Sequence, residues 1–357
     1  MKILHYVDEN RLVWARPWLQ LIKYLERSGA QNHILCRPGG TLGNYVRENN
    51  IFLSTYKPPV SSLPSLCLGL PSIFKAIKPD LLHTRLSSAA LIGGYWGRRT
   101  GVPVVSTIDK YPKRKYYRNS DRLIPCSTAV AAHMKKQGFS ESDMELIYNP
   151  VDIEVYQRDL QQREKFRQQH NIAKDDFIIL GAGRFVDWKG FEVLIKACAA
   201  MHVSEAIKKN WHVWLVGDGP EMLNYQKCVS DCALHDKISF WGFQSDMRQF
   251  LWAADLFVQP SREPEGFSLM LLEAMAAGLP AIATAIGGTL DIIDDEKCGW
   301  LFSPDDIQEL ASILRRLILS DNIKGYSEAA QKRAADFSID RIGEQTLRFY
   351  KNVIGSL

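Results

Sequence analysis

Two carboxylates in the second half of the chain, Glu265 and Glu273, lie where a loop leads into an apolar helix-like stretch. Glu265 and Glu273 are separated by seven residues, and the loop between them leads into an apolar stretch that Ser268 could cap as a helix. A carboxylate on such a helix is costly to bury unless it accepts hydrogen bonds, and sugar hydroxyl groups would donate them. Exposed backbone N–H groups at residues 266–268 would suit the anionic phosphates of the same ligand.

Two cations follow a glycine turn earlier in this half. Arg184 and Lys189 come after the turn at residues 181–183 and lie five residues apart, so both could reach one diphosphate. The N-terminus of the following helix would add its dipole. The alternatives are two surface charges or a dinucleotide-binding turn, although the third glycine of the dinucleotide pattern is absent.

Two weaker signals lie between these motifs. Gly217 opens a tight turn, and a structural turn glycine is the alternative to a ligand contact. Phe243 follows an aromatic run where a nucleobase would rest, although aromatic residues there are more often part of the core. An NAD-dependent dehydrogenase stays possible only if the second glycine turn is considered alone.

Short apolar runs alternate with longer stretches of helical period along the whole chain, which predicts βαβ units and an α/β fold with doubly wound parallel sheets. The four motifs follow such runs, and ligands bind at the carboxyl ends of strands in such sheets. We expect two Rossmann-like domains, residues 1–165 and 166–338, and a C-terminal helix at 339–357 that returns toward the first domain. The runs are residues 3–7, 33–36, 80–83, 103–107, 122–126, 177–182, 211–217, 237–241, 255–259, 280–284 and 299–302.

Together these motifs resemble those of glycosyltransferase family 4. Glu265 and Glu273 match the E-x₇-E pattern of the family, and residues 273–280 match its E-A-M-A-x-G-L-P stretch. Arg184 and Lys189 match its Arg…Lys-Gly pair, and a glycine pair at 287–288 falls where the family has one near the donor. The resemblance spans residues 1 to about 350.

The resemblance implies a GT-B fold, with two domains facing a cleft, and a retaining glycosyltransferase that needs neither metal nor cofactor. The substrates would be a nucleoside diphosphate sugar and a glycan or glycolipid acceptor of lipopolysaccharide or another cell-surface glycan. Arg184 and Lys189 would bind the diphosphate, Glu265 the transferred sugar and Glu273 the ribose. The expected donor-site residues are Gly183, Arg184, Lys189, Gly217, Phe243, Glu265, Gly266, Phe267, Ser268, Leu269 and Glu273.

The first half departs from the family pattern at two places. Where relatives have a glycine pair after the first strand, this chain has Asp8 and Glu9. Where they have a histidine, it has Asp109, which could hold a sugar hydroxyl or be an aspartate of a surface turn. With Asp109 included, the expected catalytic residues are Arg184, Lys189, Glu265 and Asp109.

The first half is also strongly basic. Residues 1–150 carry 21 Lys and Arg against 10 Asp and Glu, a net charge of +11, and the remainder carries 23 against 30, a net charge of −7. Residues 110–118, called the basic segment below, hold five cations and three tyrosines without an acid, which suits an anionic glycolipid or membrane surface. The alternative is a mobile solvated loop. The expected acceptor or membrane contacts are Arg85, Lys113, Arg114, Lys115 and Arg118.

Several other functions find no support in the sequence. There is no D-x-D triplet or complete set of zinc ligands, and no nucleic-acid-binding motif accompanies the basic segment. The apolar runs are too short to span a membrane, and the N-terminus does not resemble a secretory signal. We therefore expect a cytoplasmic protein, with peripheral attachment to the inner membrane. The alternatives are a non-catalytic sugar- or lipid-binding scaffold and a nucleotide-sugar epimerase or phosphorylase of the same architecture.

Overall fold

The computed structural model describes residues 1–12, 14–202, 209–320 and 323–355. The chain forms two compact units, one of Met1–Pro150 with Phe337–Leu357 and the other of Val151–Asp336. The first unit therefore ends at Pro150, earlier than the boundary at 165 expected from the sequence, and the helix-like stretch that follows belongs to the second unit.

Within the described residues, the first unit contains one six-stranded parallel sheet with the order β3-β2-β1-β4-β5-β6. Every residue of β4 and β5 is buried, as expected for strands covered on both faces. Its strands are β1 Lys2–Val7, β2 Gln31–Cys36, β3 Phe52–Thr55, β4 Leu81–Arg85, β5 Val104–Ile108 and β6 Arg122–Pro125. The helices between them are α1 Arg16–Arg27, α2 Gly40–Glu48, α3 Gly69–Ile77 and α4 Ser87–Thr100, and α5 Thr128–Lys136 follows β6.

The second unit also contains a six-stranded parallel sheet over its described residues, with the order β12-β11-β10-β7-β8-β9. In its core, the central strands pack against the helices Phe191–His202 and Ile307–Ile318. The strands are β7 Phe177–Ala182, β8 Trp211–Val216, β9 Ile238–Phe240, β10 Leu256–Gln259, β11 Ala281–Thr284 and β12 Gly299–Phe302. The helices are α6 Ile153–Tyr156, α7 Leu160–Gln169, α8 Phe191–His202, α9 Met222–Asp231, α10 Arg248–Ala253, α11 Leu269–Ala276, α12 Thr289–Ile292, α13 Ile307–Ile318 and α14 Ile323–Ala335.

The last helix, α15 Ile339–Gly355, packs against α1 of the first unit. A Cβ atom on Gly343 would lie 2.3 Å from the Tyr24 ring, so glycine is needed for this close approach. The hydroxyl of Tyr350 bonds Nδ1 of His83, and Nε2 of His83 lies 2.7 Å from the Thr107 hydroxyl. Burial lowers the pKa of His83 well below its usual value, so the imidazole is neutral.

Both units are doubly wound α/β sheets, which confirms the predicted fold class. Five of the six strands of the first sheet and all six of the second coincide with predicted apolar runs. The strand that was missed is β3, whose two end residues are exposed. An edge strand of this kind lacks the continuous apolar run that marks a fully buried one.

Candidate functional site

The motifs of the second half all follow the carboxyl ends of strands in the second sheet. Gly183 comes directly after β7, Gly217 after β8, and Ser261 two residues after β10. Since these strands are neighbours in the order β10-β7-β8, their loops meet at one edge of the sheet.

The centre of this edge is a three-residue cluster of Lys189, Glu265 and Ser261. The ammonium Nζ of Lys189 lies 2.8 Å from each carboxylate oxygen of Glu265, and the Ser261 hydroxyl donates to Oε1 at 2.6 Å. The side chains of Lys189 and Glu265 are 13% and 14% exposed, so the pair is close to the surface but well shielded from water. The structure therefore brings together two of the predicted catalytic residues and adds Ser261, which the sequence analysis missed.

A tight backbone contact places Lys189 in this cluster. Residues Asp187–Lys189 form a single 3₁₀ turn that ends at Gly190, whose φ of +65° is unfavourable for other residues. A Cβ atom on Gly190 would lie 2.0 Å from the carbonyl oxygen of Pro260, so only glycine lets the turn pack against the end of β10. The backbone N–H of Arg262 donates to the Trp188 carbonyl at 2.8 Å and fixes the same contact.

The Arg262 side chain fastens this turn a second time. Its guanidinium donates to Asp187 at 2.8 Å and to Asp305 at 2.7 Å, and it reaches Glu192 at 3.2 Å. The pKa of Glu192 is lowered, first by its hydrogen bond with Lys196 and also by Arg262. Arg262 thus links three loops next to the cluster, a role that only the folded chain shows.

The loop from Glu265 into α11 is ordered by short local contacts. Ser268 accepts a hydrogen bond from the Leu271 N–H at 3.4 Å, which confirms the predicted helix cap, and its hydroxyl donates to Gln259. Phe267 and Ser268 are buried, whereas Leu269 is half-buried. Glu273 is only half-buried, so it avoids the full desolvation cost that the sequence analysis considered for it.

The predicted glycine pair comes directly beside this loop. The N–H of Gly288 donates to the Glu265 carbonyl at 2.9 Å. A Cβ atom on Gly288 would lie 2.1 Å from the Gly266 carbonyl oxygen, so the two loops touch through their backbones. Gly217 makes a similar approach on the other side, because a Cβ atom there would lie 1.8 Å from the Gly183 carbonyl oxygen.

Two predicted donor residues stand outside these contacts. Arg184 is exposed next to Gly183, and Phe243 is 63% exposed after β9. The preceding Trp241 instead packs on Trp214 and Phe250 in an aromatic cluster. Trp241 is therefore half-buried among aromatic rings, whereas Phe243 is exposed and its donor role stays a prediction.

In the first unit, Asp109 is held by two partners at the ends of β4 and β5. Arg85 donates to Asp109 through Nη2 at 2.7 Å and Nε at 3.3 Å, and the same Nη2 reaches Asn149 at 2.6 Å. Asn149 also donates to Asp109 at 3.2 Å. The Arg85 side chain is 8% exposed and that of Asp109 26%, so Asp109 is the more accessible group.

A second ion pair occupies the same edge at the ends of β1 and β2. Arg37 donates to Asp8 at 2.6 and 3.0 Å, and the Ser61 hydroxyl donates to Asp8 at 2.9 Å. The Asp8 side chain is 1% exposed and that of Arg37 38%. Sequence analysis noted Asp8 as a departure but offered no signal for Arg37, which is 29 residues away.

The cations of the basic segment are exposed, whereas its backbone is held by contacts with neighbouring elements. Lys113, Arg114, Lys115 and Arg118 are all exposed. The N–H of Arg114 donates to Gln137 at 3.2 Å, and Tyr117 is buried, which raises the pKa of its phenol to about 12. Local contacts therefore hold the segment against α4 and α5.

The described part of the chain offers neither a metal-binding cluster nor a membrane-spanning helix. No group of three or more His, Cys, Asp or Glu side chains there could hold a metal ion. No helix in the same residues is long and apolar enough to cross a membrane.

Two protein-family models match the chain. Residues 162–336 match the model for glycosyl transferases group 1, and residues 16–155 match the model for glycosyltransferase family 4. The first match contains the Lys189–Glu265 cluster, and the second contains Arg85 and Asp109.

Two relatives and one solved structure are similar to this chain over most of its length. The lipopolysaccharide core biosynthesis glycosyltransferase LpsD of Rhizobium meliloti is 27% identical over 320 residues, covering 89% of this chain and 88% of LpsD. UDP-Gal:alpha-D-GlcNAc-diphosphoundecaprenol alpha-1,3-galactosyltransferase of Escherichia coli is 26% identical and covers 85% of this chain and 84% of its own. The crystal structure of Anabaena HepE in complex with UDP superposes with a TM-score of 0.87 at 23% identity, covering 99% of this chain and 100% of HepE.

Proposed function

The chain belongs to glycosyltransferase family 4 and has the GT-B fold, and on that basis we propose that it transfers a sugar from a nucleoside diphosphate sugar to a glycan or glycolipid. The product would be part of lipopolysaccharide or another cell-surface glycan. The similarity to LpsD over nine-tenths of the chain supports this choice of pathway. We further propose retention of the anomeric configuration, which follows from the family resemblance.

The observation that carries the proposal is the cluster of Lys189, Glu265 and Ser261 beside a glycine-lined sheet edge. Lys189 and the exposed Arg184 can both meet a diphosphate, which Lys binds as a point charge and Arg through a pair of N–H groups. Glu265 is held by Ser261 and can accept hydrogen bonds from the hydroxyl groups of the transferred sugar.

This arrangement would stabilise the departing nucleotide. As the bond between the anomeric carbon and the diphosphate oxygen breaks, negative charge grows on the phosphate. The acceptor oxygen bonds to the anomeric carbon, and the proton of its hydroxyl group passes to the departing phosphate. The two cations provide fixed positive charge for that phosphate, so the charge needs no reorganisation of water at the moment of reaction. We propose that these side chains replace a metal ion in this role.

On the acceptor side, Asp109 is the proposed contact to a sugar hydroxyl. Arg85 is better placed to hold the Asp109 carboxylate than to meet an acceptor phosphate, since it is buried against Asp109 and Asn149. The exposed cations of the basic segment remain the proposed contact to an anionic acceptor or membrane.

The first test is thermal unfolding of the full chain with UDP, GDP, ADP, CMP or NAD, each with EDTA. A ligand at about 100 times its dissociation constant stabilises a fold by roughly 2.7 kcal/mol. UDP is the first candidate, because HepE was crystallised with UDP and with UDP-glucose. A response to a nucleoside diphosphate with EDTA supports the donor site, whereas a response to NAD alone would contradict it.

A transfer assay separates the remaining alternatives. With the donor sugar so identified, an acceptor-dependent product whose anomeric configuration matches that of the donor is expected by NMR. Conversion of the donor without acceptor would indicate an epimerase. Nucleotide binding without any turnover across lipid-linked and soluble acceptors would favour the non-catalytic scaffold.

A further inference from the structure

Four exposed aliphatic side chains lie close together in the segment that joins β3 to α3. Val60, Leu63, Leu66 and Leu68 are 39%, 50%, 49% and 69% exposed. We refer to residues 57–68 as the leucine loop. Scattered exposed leucines are ordinary, but a group of them within one short loop marks an interaction surface.

The leucine loop is held by its backbone and by its buried residues. Pro64–Leu66 form one 3₁₀ turn, and the Trp96 indole N–H donates to the Pro64 carbonyl at 2.8 Å. The Cys67 side chain is buried, and the Ser61 hydroxyl donates to Asp8 at 2.9 Å. The loop therefore presents its leucines to solvent from a fixed framework.

The part of the sequence that contains the leucine loop is basic and has few acids. Residues 49–120 contain 11 Lys and Arg but only two acidic residues, Asp80 and Asp109. Asp109 is already paired with Arg85. Most of the cations are exposed: Lys57, Lys75, Lys78, Arg98, Arg99, Lys110, Lys113, Arg114, Lys115 and Arg118.

One helix connects the leucine loop with the basic segment. Helix α4 packs against the 3₁₀ turn of the leucine loop and also against the Arg114–Tyr116 turn of the basic segment. The two segments therefore flank the same helix of the first unit, with Arg98 and Arg99 exposed at its end.

We propose that the leucine loop inserts into an anionic lipid bilayer, with Leu63, Leu66 and Leu68 entering the boundary between headgroups and acyl chains. The flanking cations would stay at the headgroups and attract the acidic lipids. Charge complementarity favours this occupant over a protein partner, because aliphatic tips surrounded by cations suit a bilayer, whereas protein interfaces are centred on aromatic residues in pockets. The biological purpose rests on the proposed function, since a lipid-linked acceptor would be met at this surface.

The test is sedimentation of the full chain with phosphatidylcholine vesicles that either contain or lack phosphatidylglycerol, at low and high salt. The variant Leu63→Ser/Leu68→Ser should bind anionic vesicles at least ~10-fold more weakly, and the loss should persist at high salt, because burial of apolar surface is not screened. The variant Lys113→Gln/Arg114→Gln/Lys115→Gln should lose only the part of the binding that salt screens.

A matched control lies in the second unit. Leu160 and Leu223 are 66% and 77% exposed, and Leu160→Ser/Leu223→Ser should bind vesicles like the wild type. Wild-type binding by Leu63→Ser/Leu68→Ser at both salt concentrations would overturn the proposal. So would a finding that this variant only changes a dimer into a monomer, because the leucines would then lie between two copies of the chain.

The donor site is checked separately in every variant. The shift of the unfolding midpoint caused by the nucleoside diphosphate does not involve vesicles. A leucine-loop variant that keeps this shift but loses vesicle binding supports the proposal. A wild-type chain that binds vesicles but no nucleotide would contradict the proposed function and leave the membrane result standing.

Discussion

The two sheets have the same strand order but carry different residues at equivalent positions of their carboxyl edges. Numbered from the start of each unit, both follow the order 3-2-1-4-5-6. In the second unit, Gly183 and Gly217 follow the first and second strands, and their backbones touch. In the first unit, the same two positions hold Asp8 and Arg37, which form an ion pair in which Asp8 is buried and Arg37 is partly exposed.

This difference shows how one scaffold yields two kinds of edge. The two glycines of the second unit bring their turns into backbone contact, and the ion pair at that edge is formed by Lys189 and Glu265 from two other positions in the loops. In the first unit the side chains at the two glycine-equivalent positions, Asp8 and Arg37, pair with each other directly. We propose that the edge with glycines binds the phosphorylated ligand and that the first unit contributes a more limited contact through Asp109.

The largest effect is expected from the charged cluster. Lys189→Ala and Glu265→Ala should each lower kcat/KM at least ~100-fold, equivalent to about 2.7 kcal/mol of transition-state stabilisation. The control is Lys196→Ala, which removes another Lys–Glu pair at 2.6 Å whose side chains are 45% and 34% exposed. That variant should keep wild-type turnover, and wild-type turnover in Lys189→Ala would mean that the donor site lies elsewhere.

The contact between Gly217 and Gly183 should change the free energy of unfolding by a comparable amount. Gly217→Ala would place a Cβ atom 1.8 Å from a backbone oxygen at a φ of +145°, so the two turns must separate. We expect a loss of about 2–4 kcal/mol in the free energy of unfolding, measured with urea. Gly242→Ala is the control, since its φ of +64° adds strain but nothing lies within 4 Å. The control should lower the free energy of unfolding by about 1 kcal/mol. Equal losses in both variants would show that the contact between Gly217 and Gly183 adds nothing beyond backbone strain.

A smaller effect is expected from Ser261, a positioning residue that acts through Glu265. Ser261→Ala should lower kcat about 10-fold, equivalent to ~1.4 kcal/mol, and change the KM for donor less. Ser261→Thr should restore most of the loss, because the hydroxyl is kept. In a Glu265→Ala background, Ser261→Ala should have no further effect.

The control for Ser261 is Thr284→Val, which removes another buried hydroxyl at this sheet, one bonded to the Gln259 carbonyl at 3.3 Å. It should leave kcat unchanged. Full additivity of Ser261→Ala with Glu265→Ala would show that Ser261 does not work through the carboxylate.

The smallest effect is expected from the Asp8–Arg37 ion pair at the sheet edge of the first unit. Asp8→Asn and Arg37→Gln should each lower the free energy of unfolding by about 1–2 kcal/mol, because Arg37 is partly exposed and can be rehydrated. The double variant should cost less than the sum of the two single variants. Additive losses would show that the pair contributes no coupling and that the two residues merely fill space.

Much of the fold could be predicted from local patterns. Eleven of the twelve strands described coincide with apolar runs, because buried parallel strands need apolar residues on both faces. The edge strand β3 was missed because its end residues are exposed and it has no continuous apolar run. The Ser268 cap was predictable because its hydrogen bond spans only three residues.

The roles of the candidate site residues were visible only in part. Residue types at the ends of strands indicated a ligand edge, and the resemblance to the family supplied the expected roles. Ser261, Arg37 and Arg262 gave no signal, because a serine or arginine in a loop is common and its partner is far away in the sequence.

The sequence by itself determined the alternation of strands and helices and the positions of the glycines, since both follow from properties of neighbouring residues. Only the tertiary structure decided which side chains meet. Lys189 and Glu265 are 76 residues apart, and Arg85 and Asn149 are 64 apart. Such pairs form only when loops from separate strands reach one edge, and the strand order that brings them there is a property of the folded sheet.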